Sequence, residues 1–389
     1  MRPAILFGAF DRHNLGDMLF PHVLAALMPH RPLLYAGLVA ADLRPWGGHE
    51  VLPLDQALAR IGNQPLDLIH VGGELLTCEA RQAAIMSLAP EEAMALLSLR
   101  EEGGERPGWV RQRLGCSRAA PYVVAAERLP AGSRTLFLGV GGEALDEVPA
   151  ALRHEVFRAL HQASFVGVRD RRTLEHLAAA FLPATLMPDT ASLAVEVLAG
   201  PIAEHALAGE PAAVASRFPG GYLAVQFSAD FCDDATLFPM AAQLEEVAEE
   251  RGLGIVFLRV GAAPWHDDLE VYRRAASRMA PGRCHVARSL HILDICALIP
   301  RCRAWCGSSL HGWILASLRG RPRAGLALRE AGIGAKLRSY VGTWEKGAET
   351  RVVEPGDVAA ALELAFKADA SPPPTASLCR LTLDQALYS

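Results

Sequence analysis

Short apolar runs alternate with longer segments of helical periodicity along the whole chain. In the first half, apolar runs rich in β-forming residues occupy positions 4–7, 32–35, 66–71, 135–140, 165–168 and 184–187. Segments with a helical spacing of apolar residues lie between them, for example at positions 17–27, 147–161 and 171–180. Strands that alternate with helices are typical of parallel α/β sheets. The pattern therefore predicts an α/β fold for this half of the chain.

A second series of the same kind begins after the polar stretch 200–221. Its strands are predicted at 222–227, 254–260, 283–286, 304–306 and 323–326, and its helices at 237–251, 269–279, 292–299 and 310–318. We expect two Rossmann-like doubly wound domains that face a cleft, at residues 1–200 and 221–370. The tail, residues 371–389, begins Ser-Pro-Pro-Pro and is expected to end in a helix that packs back on the domains. Residues 101–108 are expected to form an exposed loop.

Composition and charge argue against a nucleic-acid-binding protein and against a membrane-spanning one. The 389 residues carry a net charge of −5, and no basic block indicates a nucleic-acid surface. No apolar run approaches the ~20 residues of a transmembrane helix, and the N-terminal segment does not resemble a signal peptide, so we expect a cytoplasmic protein. The eight cysteines are expected to be reduced thiols. Because neither cysteines nor carboxylates show ligand spacing, no metal is predicted, while oligomerisation stays open.

The segment WCGSSLHGWILAS, residues 305–317, carries the most chemical information. A predicted strand ends here in a glycine and two serines, Ser308 and Ser309, and a helix follows with His311 in its first turn. A helix N-terminus attracts anions, and a histidine can move a proton beside them. The alternative is a serine cap followed by a histidine that only happens to lie near the start of a helix.

The loop after the first predicted strand reads GAFDRHNLGD and leads into a helix. Asp17 is predicted to be the N-cap of that helix, and Gly16 permits a tight turn before it. Asn14 and Asp17 could also hydrogen-bond or deprotonate a substrate hydroxyl. The GxGxxG fingerprint of dinucleotide-binding proteins is absent from this loop.

Glycines and charged residues follow four further strands of the first half. Gly73 lies in one glycine turn, and Gly141 and Gly142 lie in another, where a ligand could approach the backbone closely. Arg169 ends a strand and either presents a guanidinium fork suited to a carboxylate or phosphate ligand or forms a surface or interface ion pair. Asp189 ends the next strand and is either a simple turn residue or an acid of the site.

Together these segments resemble the polysaccharide pyruvyl transferase family. The resemblance rests on HNLGD at 13–17, VGGELL at 71–76, LGVGG at 138–142, VRDRRT at 168–173, MPD at 187–189 and SSLHG at 308–312. It extends from residue 4 to about residue 330. SSLHG and VRD are its most specific segments, whereas the glycine turns alone would show little.

The resemblance implies a GT-B-like fold and an enzyme that uses phosphoenolpyruvate as donor substrate, with no cofactor. Such enzymes place pyruvate on a sugar or glycan, commonly as a ketal that bridges two hydroxyls. His311 matches the family's acid/base histidine, and Arg169 matches an arginine of the cleft. Ser309 stands where some members carry arginine, and Glu74 stands where the family often has glycine.

These roles give a chemical hypothesis. His311 would protonate the donor, while Arg169 and the start of the 310–318 helix would hold its anionic groups. Asp17 or Asp189 would orient or deprotonate the acceptor hydroxyl. The set of expected substrate-binding residues consists of Asn14, Gly73, Gly141, Gly142, Asp189, Ser308, Ser309 and Gly312.

Two other classes of function fit the same pattern. One is a GT-B glycosyltransferase with a nucleotide-sugar donor, and the other is a non-catalytic binding module that keeps only the fold. Donor binding and turnover distinguish them. Acceptor contacts are expected in the stretch 82–128 and in the loop 262–268, where Trp265 could stack on a sugar ring.

Overall fold

A computed structural model describes residues 2–101, 108–368 and 371–388. The chain divides into two compact units, the first formed by residues 1–190 together with 377–389, the second by residues 191–376. The stretch 200–221, where the sequence analysis places a domain boundary, is largely helical and lies within the second unit. The expected loop at 101–108 falls mostly outside the described residues.

The first unit contains an eight-stranded sheet. Its strands are β1 (Ala4–Phe7), β2 (Leu33–Gly37), β3 (Ala41–Asp42), β4 (Glu50–Pro53), β5 (Asp67–His70), β6 (Arg134–Val140), β7 (Phe165–Val168) and β8 (Thr185–Leu186). They lie in the order β3-β4-β2-β1-β5-β6-β7-β8. All neighbours are parallel except β3 and β4. The central strands β1 and β5 are wholly buried; the unbroken apolar character of β1 predicts this, whereas β5 begins with Asp67 and ends with His70.

Helices connect these strands. They are α1 (Leu15–Leu27), α2 (Leu54–Ile61), α3 (Ala80–Met86), α4 (Pro90–Glu101), α5 (Trp109–Leu114), α6 (Ala150–His161) and α7 (Arg171–Ala179). The predicted start of α1 is wrong. Asn14, not Asp17, is the N-cap, and its side chain accepts hydrogen bonds from the backbone N–H groups of Gly16 and Asp17 at 3.1 and 3.3 Å. Asp17 instead lies in the first turn, where the positive end of the helix dipole stabilises a carboxylate.

The second unit contains six strands, all parallel to their neighbours. They are β9 (Tyr222–Gln226), β10 (Gly254–Phe257), β11 (Cys284–Val286), β12 (Ala304–Gly307), β13 (Arg323–Leu326) and β14 (Val352–Val353). Their order, β11-β10-β9-β12-β13-β14, is the Rossmann order 3-2-1-4-5-6. The first unit follows the same order when the short β3–β4 hairpin counts as one position. The fold class is therefore α/β, with two Rossmann-like doubly wound domains as predicted.

Of the predicted helices of the second unit, three are shorter in the structure and the one at 237–251 is longer. The helices of this unit are α8 (Ala194–Val197), α9 (Ala199–Ala206), α10 (Gly209–Arg217), α11 (Asp234–Glu250), α12 (Leu269–Ala276), α13 (Ile292–Leu298), α14 (Leu310–Ser317), α15 (Ala335–Trp344) and α16 (Val358–Lys367). A last helix, α17 (Thr375–Tyr388), belongs for most of its length to the first unit, where Cys379 and Leu383 are fully buried. Within the described ranges, no helix combines the length and apolarity needed to cross a bilayer.

Each sheet has its own hydrophobic core. In the first unit, Ile5, Phe7 and Phe137 are fully buried among helix residues such as Val156. In the second unit, Val225 and Phe257 are buried against α11 and α12. Because apolar side chains occupy both faces of each sheet, polar residues that could do chemistry are concentrated at the strand ends.

Candidate functional site

The crossing point of the second sheet lies between β9 and β12. Strand order reverses here, and open α/β sheets bind ligands outside the carboxyl ends of such strands. Gln226 is the last residue of β9, and Gly307 is the last residue of β12. The segment Ser308-Ser309 therefore begins at the position where the topology favours a ligand.

Hydrogen bonds hold the two strand ends together. The Ser309 N–H donates to Oε1 of Gln226 at 2.9 Å, and the Ser308 N–H donates to the Gln226 carbonyl at 3.3 Å. In the opposite direction, the Ser228 N–H donates to Oγ of Ser308 at 3.2 Å. The start of α14 is thereby attached to the end of β9 by three bonds.

Ser309 is the N-cap of α14, and its Oγ accepts a hydrogen bond from the Gly312 N–H at 3.2 Å. His311 lies in the first turn and is partly exposed. Glycine is required at position 312, because a Cβ there would come within 2.0 Å of the buried Trp305 ring. The tight packing of α14 on β12 fixes the backbone that carries the histidine.

Asp267 extends this network into the loop after β10. Its Oδ1 accepts from Nε2 of Gln226 at 2.7 Å, and its Oδ2 accepts from the N–H groups of Val260 and Gly261 at 2.6 and 3.3 Å. Burial raises the pKa of the Asp267 carboxyl to about 7, although the hydrogen bonds from Val260 and Gln226 oppose that shift. Since a carboxylate only accepts, Asp267 orients the Gln226 amide so that its oxygen faces Ser309.

The loop that carries Asp267 also presents an aromatic side chain. Trp265 has a φ of 65° and is 44% exposed. A bulky residue in the left-handed region is unfavourable, and such strain is concentrated at ligand sites. The expected acceptor contact at Trp265 stays a prediction.

The equivalent crossing point of the first sheet lies between β1 and β5, and Asp17 and Gly73 lie there. A Cβ built on Gly73, whose φ is 89°, would come within 2.9 Å of Oδ1 of Asp17. Nη2 of Arg12 lies 3.8 Å from Oδ2 of Asp17. Asn14, which caps α1, stands at the same helix start.

A buried network that the sequence analysis did not identify supports Arg12. Its Nη1 donates to the Tyr122 hydroxyl at 2.6 Å, and that hydroxyl donates to Oδ1 of Asp11 at 2.9 Å. Burial raises the pKa of Tyr122 well above its ordinary value, so the hydroxyl keeps its proton. Tyr122 lies 110 residues from Arg12, and no local pattern links the two.

Arg169 is enclosed by two carboxylates. Its Nη2 donates to Oε2 of Glu74 at 2.6 Å, and its Nη1 donates to Oδ2 of Asp189 at 3.1 Å. The Arg169 and Asp189 side chains are almost fully buried. The structure thus shows Arg169 in a buried ion pair, and its expected role in anion binding stays a prediction.

Glycines shape the surroundings of Arg169. A Cβ on Gly141 would lie 2.3 Å from Oε2 of Glu74 and 2.8 Å from Nε of Arg169. The Gly142 N–H donates to Oγ1 of Thr173 at 3.0 Å. Glycine at position 141 therefore leaves room for the ion pair itself, in addition to any role in ligand approach.

The predicted site residues thus form two groups. Ser308, Ser309, His311 and Gly312 lie together in the second unit, and the first unit contains the group Asn14, Asp17, Gly73, Gly141, Gly142, Arg169 and Asp189. Gln226 and Asp267 complete the hydrogen-bond network at Ser309 and are absent from the predicted site residues. Their signals were available, since Gln226 is a polar residue at the end of an apolar strand and Asp267 lies in the loop 262–268.

Three side chains among the described residues could hold a metal ion. His205, His291 and Asp294 offer ligand atoms within 4.8 Å of one another. Hydrogen bonds already use one atom of each side chain: Nδ1 of His205 lies 2.6 Å from Oδ1 of Asp294, and the Leu293 N–H donates to Nδ1 of His291 at 3.3 Å. The group is accounted for as a contact between α9 and α13.

Known structures resemble the whole chain at low sequence identity. UDP-GlcNAc 2-epimerase from Methanocaldococcus jannaschii matches with a TM-score of 0.56 and 9% identity, covering all of both chains. MnaA of S. aureus, in a complex with UDP, matches with a TM-score of 0.57 and 11% identity, covering 100% of this chain and 96% of that one. The Neisseria meningitidis UDP-GlcNAc 2-epimerase bound to UDP-GlcNAc matches with a TM-score of 0.52 and 11% identity, again covering all of both chains. These likenesses show a GT-B-like fold.

No curated protein is similar enough in sequence to be counted as a relative. The sequence profile of one family, polysaccharide pyruvyl transferase, does match, over residues 48–329. The matched range contains the Glu74–Arg169–Asp189 cluster and the whole SSLHG segment, but begins after Asn14 and Asp17. Because it spans well over half of the sequence, this chain belongs to the polysaccharide pyruvyl transferase family and is a transferase.

Proposed function

We propose that the chain transfers the pyruvyl group of phosphoenolpyruvate to hydroxyls of a sugar or glycan and forms a ketal. The observation that carries the proposal is the place of His311, in the first turn of α14 at the crossing point of the second sheet. Family membership supports a small-molecule donor and a sugar or glycan acceptor. The proposal adds two elements to family membership, phosphoenolpyruvate as the donor and a ketal as the product.

The start of α14 suits the anionic groups of this donor. Its first backbone N–H groups and the helix dipole favour a phosphate or carboxylate. Oγ of Ser308 and Oγ of Ser309 each accept one backbone N–H, so each hydroxyl keeps its own O–H to donate. These donors take the place of the arginine that some family members carry at position 309.

The reaction balances with one acid and one base. His311 protonates the methylene carbon of the donor, and a sugar hydroxyl adds to the resulting oxocarbenium-like carbon and loses its proton. A second hydroxyl then displaces phosphate and closes the ketal. Of the two hydroxyl protons, one replaces the proton that His311 gave to the methyl group, and the other leaves with phosphate.

The charged residues of the first unit divide into two roles. Asp17, at the helix start beside Arg12, is assigned to the acceptor hydroxyl as base or orienting group. Arg169 is assigned to holding Glu74 and Asp189 in place rather than to binding the donor. Asn14 and Gly73 define the backbone around Asp17.

Thermal unfolding with single donors tests the donor class. A ligand at about 100 times its Kd adds roughly 2.7 kcal/mol, which raises the midpoint by several degrees. We expect a shift with phosphoenolpyruvate and none with UDP-GlcNAc. The nucleotide sugar is the competing donor because the structural neighbours are UDP-GlcNAc enzymes. A shift with UDP-GlcNAc alone would replace pyruvyl transfer with glycosyl transfer.

The variant His311→Asn tests the acid. Phosphate release from phosphoenolpyruvate, measured over a panel of oligosaccharide acceptors, should fall about 10²–10⁴-fold in kcat. The matched control is His161→Asn, at the exposed end of α6, which should keep full turnover. Equal turnover of the two variants would contradict the role of His311, whereas a folded wild-type chain that binds donor without turnover would be a binding module.

A further inference from the structure

Three arginines surround one buried carboxylate at the amino ends of β1, β5 and β6. Asp67 opens β5, Arg134 opens β6, and Arg2 and Arg31 lie just before β1 and β2. Nε and Nη2 of Arg134 donate to the two Asp67 oxygens at 3.0 and 2.8 Å, and Nη1 of Arg2 donates to Oδ1 at 3.2 Å. Nη2 of Arg31 donates to Oδ2. This is the sheet edge opposite to Asp17 and Gly73.

The carboxylate of Asp67 is saturated by these bonds. Four N–H donors already use its two oxygens, and a carboxylate offers about four lone-pair directions. Asp67 can therefore balance only one of the three guanidinium charges. Arg2 and Arg134 keep 38% and 30% of their side-chain surface exposed, so part of each guanidinium group can meet a further partner.

The arginines line a cavity of about 630 Å³. Of the described residues that form its wall, the charged ones are these three arginines and Asp67, which leaves an excess of positive charge. The apolar part of the wall comes from Met28 and Pro29 after α1 and from Leu387 and Tyr388 at the end of α17. The Tyr388 hydroxyl donates to the Leu27 carbonyl at 3.0 Å, which fixes that wall to α1.

We propose that this cavity binds an anionic amphiphile, a molecule that joins a phosphate or carboxylate head to an apolar body. The guanidinium N–H groups of Arg2 and Arg134 that Asp67 leaves over hold the head, because arginine pairs with such oxygens through charge-assisted hydrogen bonds, whereas Arg31 also donates to the Arg2 and Pro3 carbonyls. The side chains of α17 and of the α1 end cover the apolar body. The volume lies within the usual 300–1,000 Å³ of small-molecule sites. Its position at the amino ends of the strands separates this site from the transferase residues.

Titration calorimetry with three small probes tests the proposal on the full-length chain. Octyl phosphate carries both features, inorganic phosphate carries the head alone, and octyl glucoside carries the same apolar chain on a neutral head. We expect octyl phosphate to bind at least about 10-fold more tightly than either of the others. If inorganic phosphate or octyl glucoside bound as tightly as octyl phosphate, the proposal of an amphiphile would be overturned. The same holds if octyl phosphate gave no heat of binding.

Two arginine variants and one control assign the binding to this cavity. Arg134→Gln should weaken the binding of octyl phosphate by about 10-fold or more, which is the usual effect of losing a hydrogen bond to a charged group. Arg2→Gln should act in the same direction and removes only one bond to Asp67, so it keeps the test valid if Arg134→Gln does not fold. The control Arg44→Gln removes an exposed charge that pairs with Asp42 and should leave binding unchanged. Wild-type affinity in Arg2→Gln would overturn the assignment.

Discussion

The two units share one strand order around their crossing points but carry opposite kinds of chemistry at the carboxyl ends of their strands. In the first unit, buried charges are paired with one another, as Arg169 is with Glu74 and Asp189. In the second unit, hydroxyls, an amide and an imidazole dominate, and Asp267 is the charged member of the described network. The topology selects where a site forms, whereas the residues at the strand ends select what it can do.

This difference also separates stability from activity. Ion pairs that are buried and mutually satisfied hold a backbone in place, and breaking one leaves an uncompensated charge. A change in a hydrogen-bond network around a helix start costs less stability, but the change displaces the side chain that reacts. We therefore expect substitutions in the Glu74–Arg169–Asp189 cluster to act mainly on unfolding and those in the network at the start of α14 mainly on turnover.

The largest expected effect is that of Arg169→Gln. The change leaves Glu74 and Asp189 facing each other without a cation, and we expect a loss of about 3–5 kcal/mol in the free energy of unfolding. Urea unfolding measures it. Arg44→Gln, which removes an exposed ion pair, is the control and should leave the midpoint in place. If Arg169→Gln kept its stability but lost donor binding, the contrast between the units would break down.

Gly312→Ala comes next. The new Cβ would lie 2.0 Å from the Trp305 ring, so α14 must move, at a cost of about 1–3 kcal/mol. Because His311 precedes this residue, kcat should fall as well. Gly342→Ala is the matched control, since a Cβ in that part of α15 has open space and alanine favours a helix. Loss of stability without loss of kcat would show that the helix start tolerates displacement.

Asp267→Asn tests the orientation of Gln226. An asparagine that still accepts from Val260 and Gly261 must turn its NH₂ group towards Gln226, whose amide then flips and presents NH₂ to the Ser309 N–H. We expect kcat to fall about 10-fold, equivalent to about 1.4 kcal/mol. A steady-state assay on wild type and variant measures it.

The pH dependence of Asp267 sharpens that test. Its pKa of about 7 lies above the ordinary value, so the stabilisation from its protonated form is complete below about pH 4 and is lost as the pH rises through 7. Activity should follow the opposite course, because the carboxylate orients Gln226. Wild-type kcat should decrease below about pH 7, and this decrease should be absent from Asp267→Asn. If kcat of the variant still decreased below about pH 7, the decrease would have to come from the titration of another group.

The smallest effect compares two strained aromatic residues, one in each unit. Phe181 and Trp265 have φ values of 56° and 65°. Replacing either by glycine should relieve about 1 kcal/mol of backbone strain, visible as a higher midpoint of unfolding. Only Trp265→Gly should raise the KM for a glycan acceptor, because Trp265 lies in the loop of Asp267. An equal, purely stabilising effect at both positions would remove Trp265 from the proposed acceptor site.

Sequence alone was sufficient for the fold class and for the residues at most strand ends. Buried parallel strands such as β1 and β9 are short, largely apolar runs between helical segments, and their length and composition identify them without any partner. The short strands β3, β4 and β14 lack that signal, because two to four residues at a sheet edge carry little pattern. The cap of α1 was misplaced because Asn14 and Asp17 are both good caps, and backbone geometry decides between them.

The pairing of side chains could not be predicted from the sequence. Arg169 and Glu74 are 95 residues apart, and Gln226 and Ser309 are 83 apart. Each residue by itself was visible at the end of a strand, but which charge faces which depends on how neighbouring strands are registered. For that reason the sequence does not decide between an Arg169 that binds an anion and one that forms an ion pair, whereas the fold gives it two carboxylate partners.

The return of the last helix to the first unit bears on how the protein is made. Ribosomes complete residue 190 long before residue 377, and at ~5–20 residues per second the interval lasts roughly 10–40 s. During that interval the first unit lacks the helix that buries Cys379 and Leu383, while all residues of the second unit emerge without interruption. The half that begins synthesis first is therefore the half that finishes folding last.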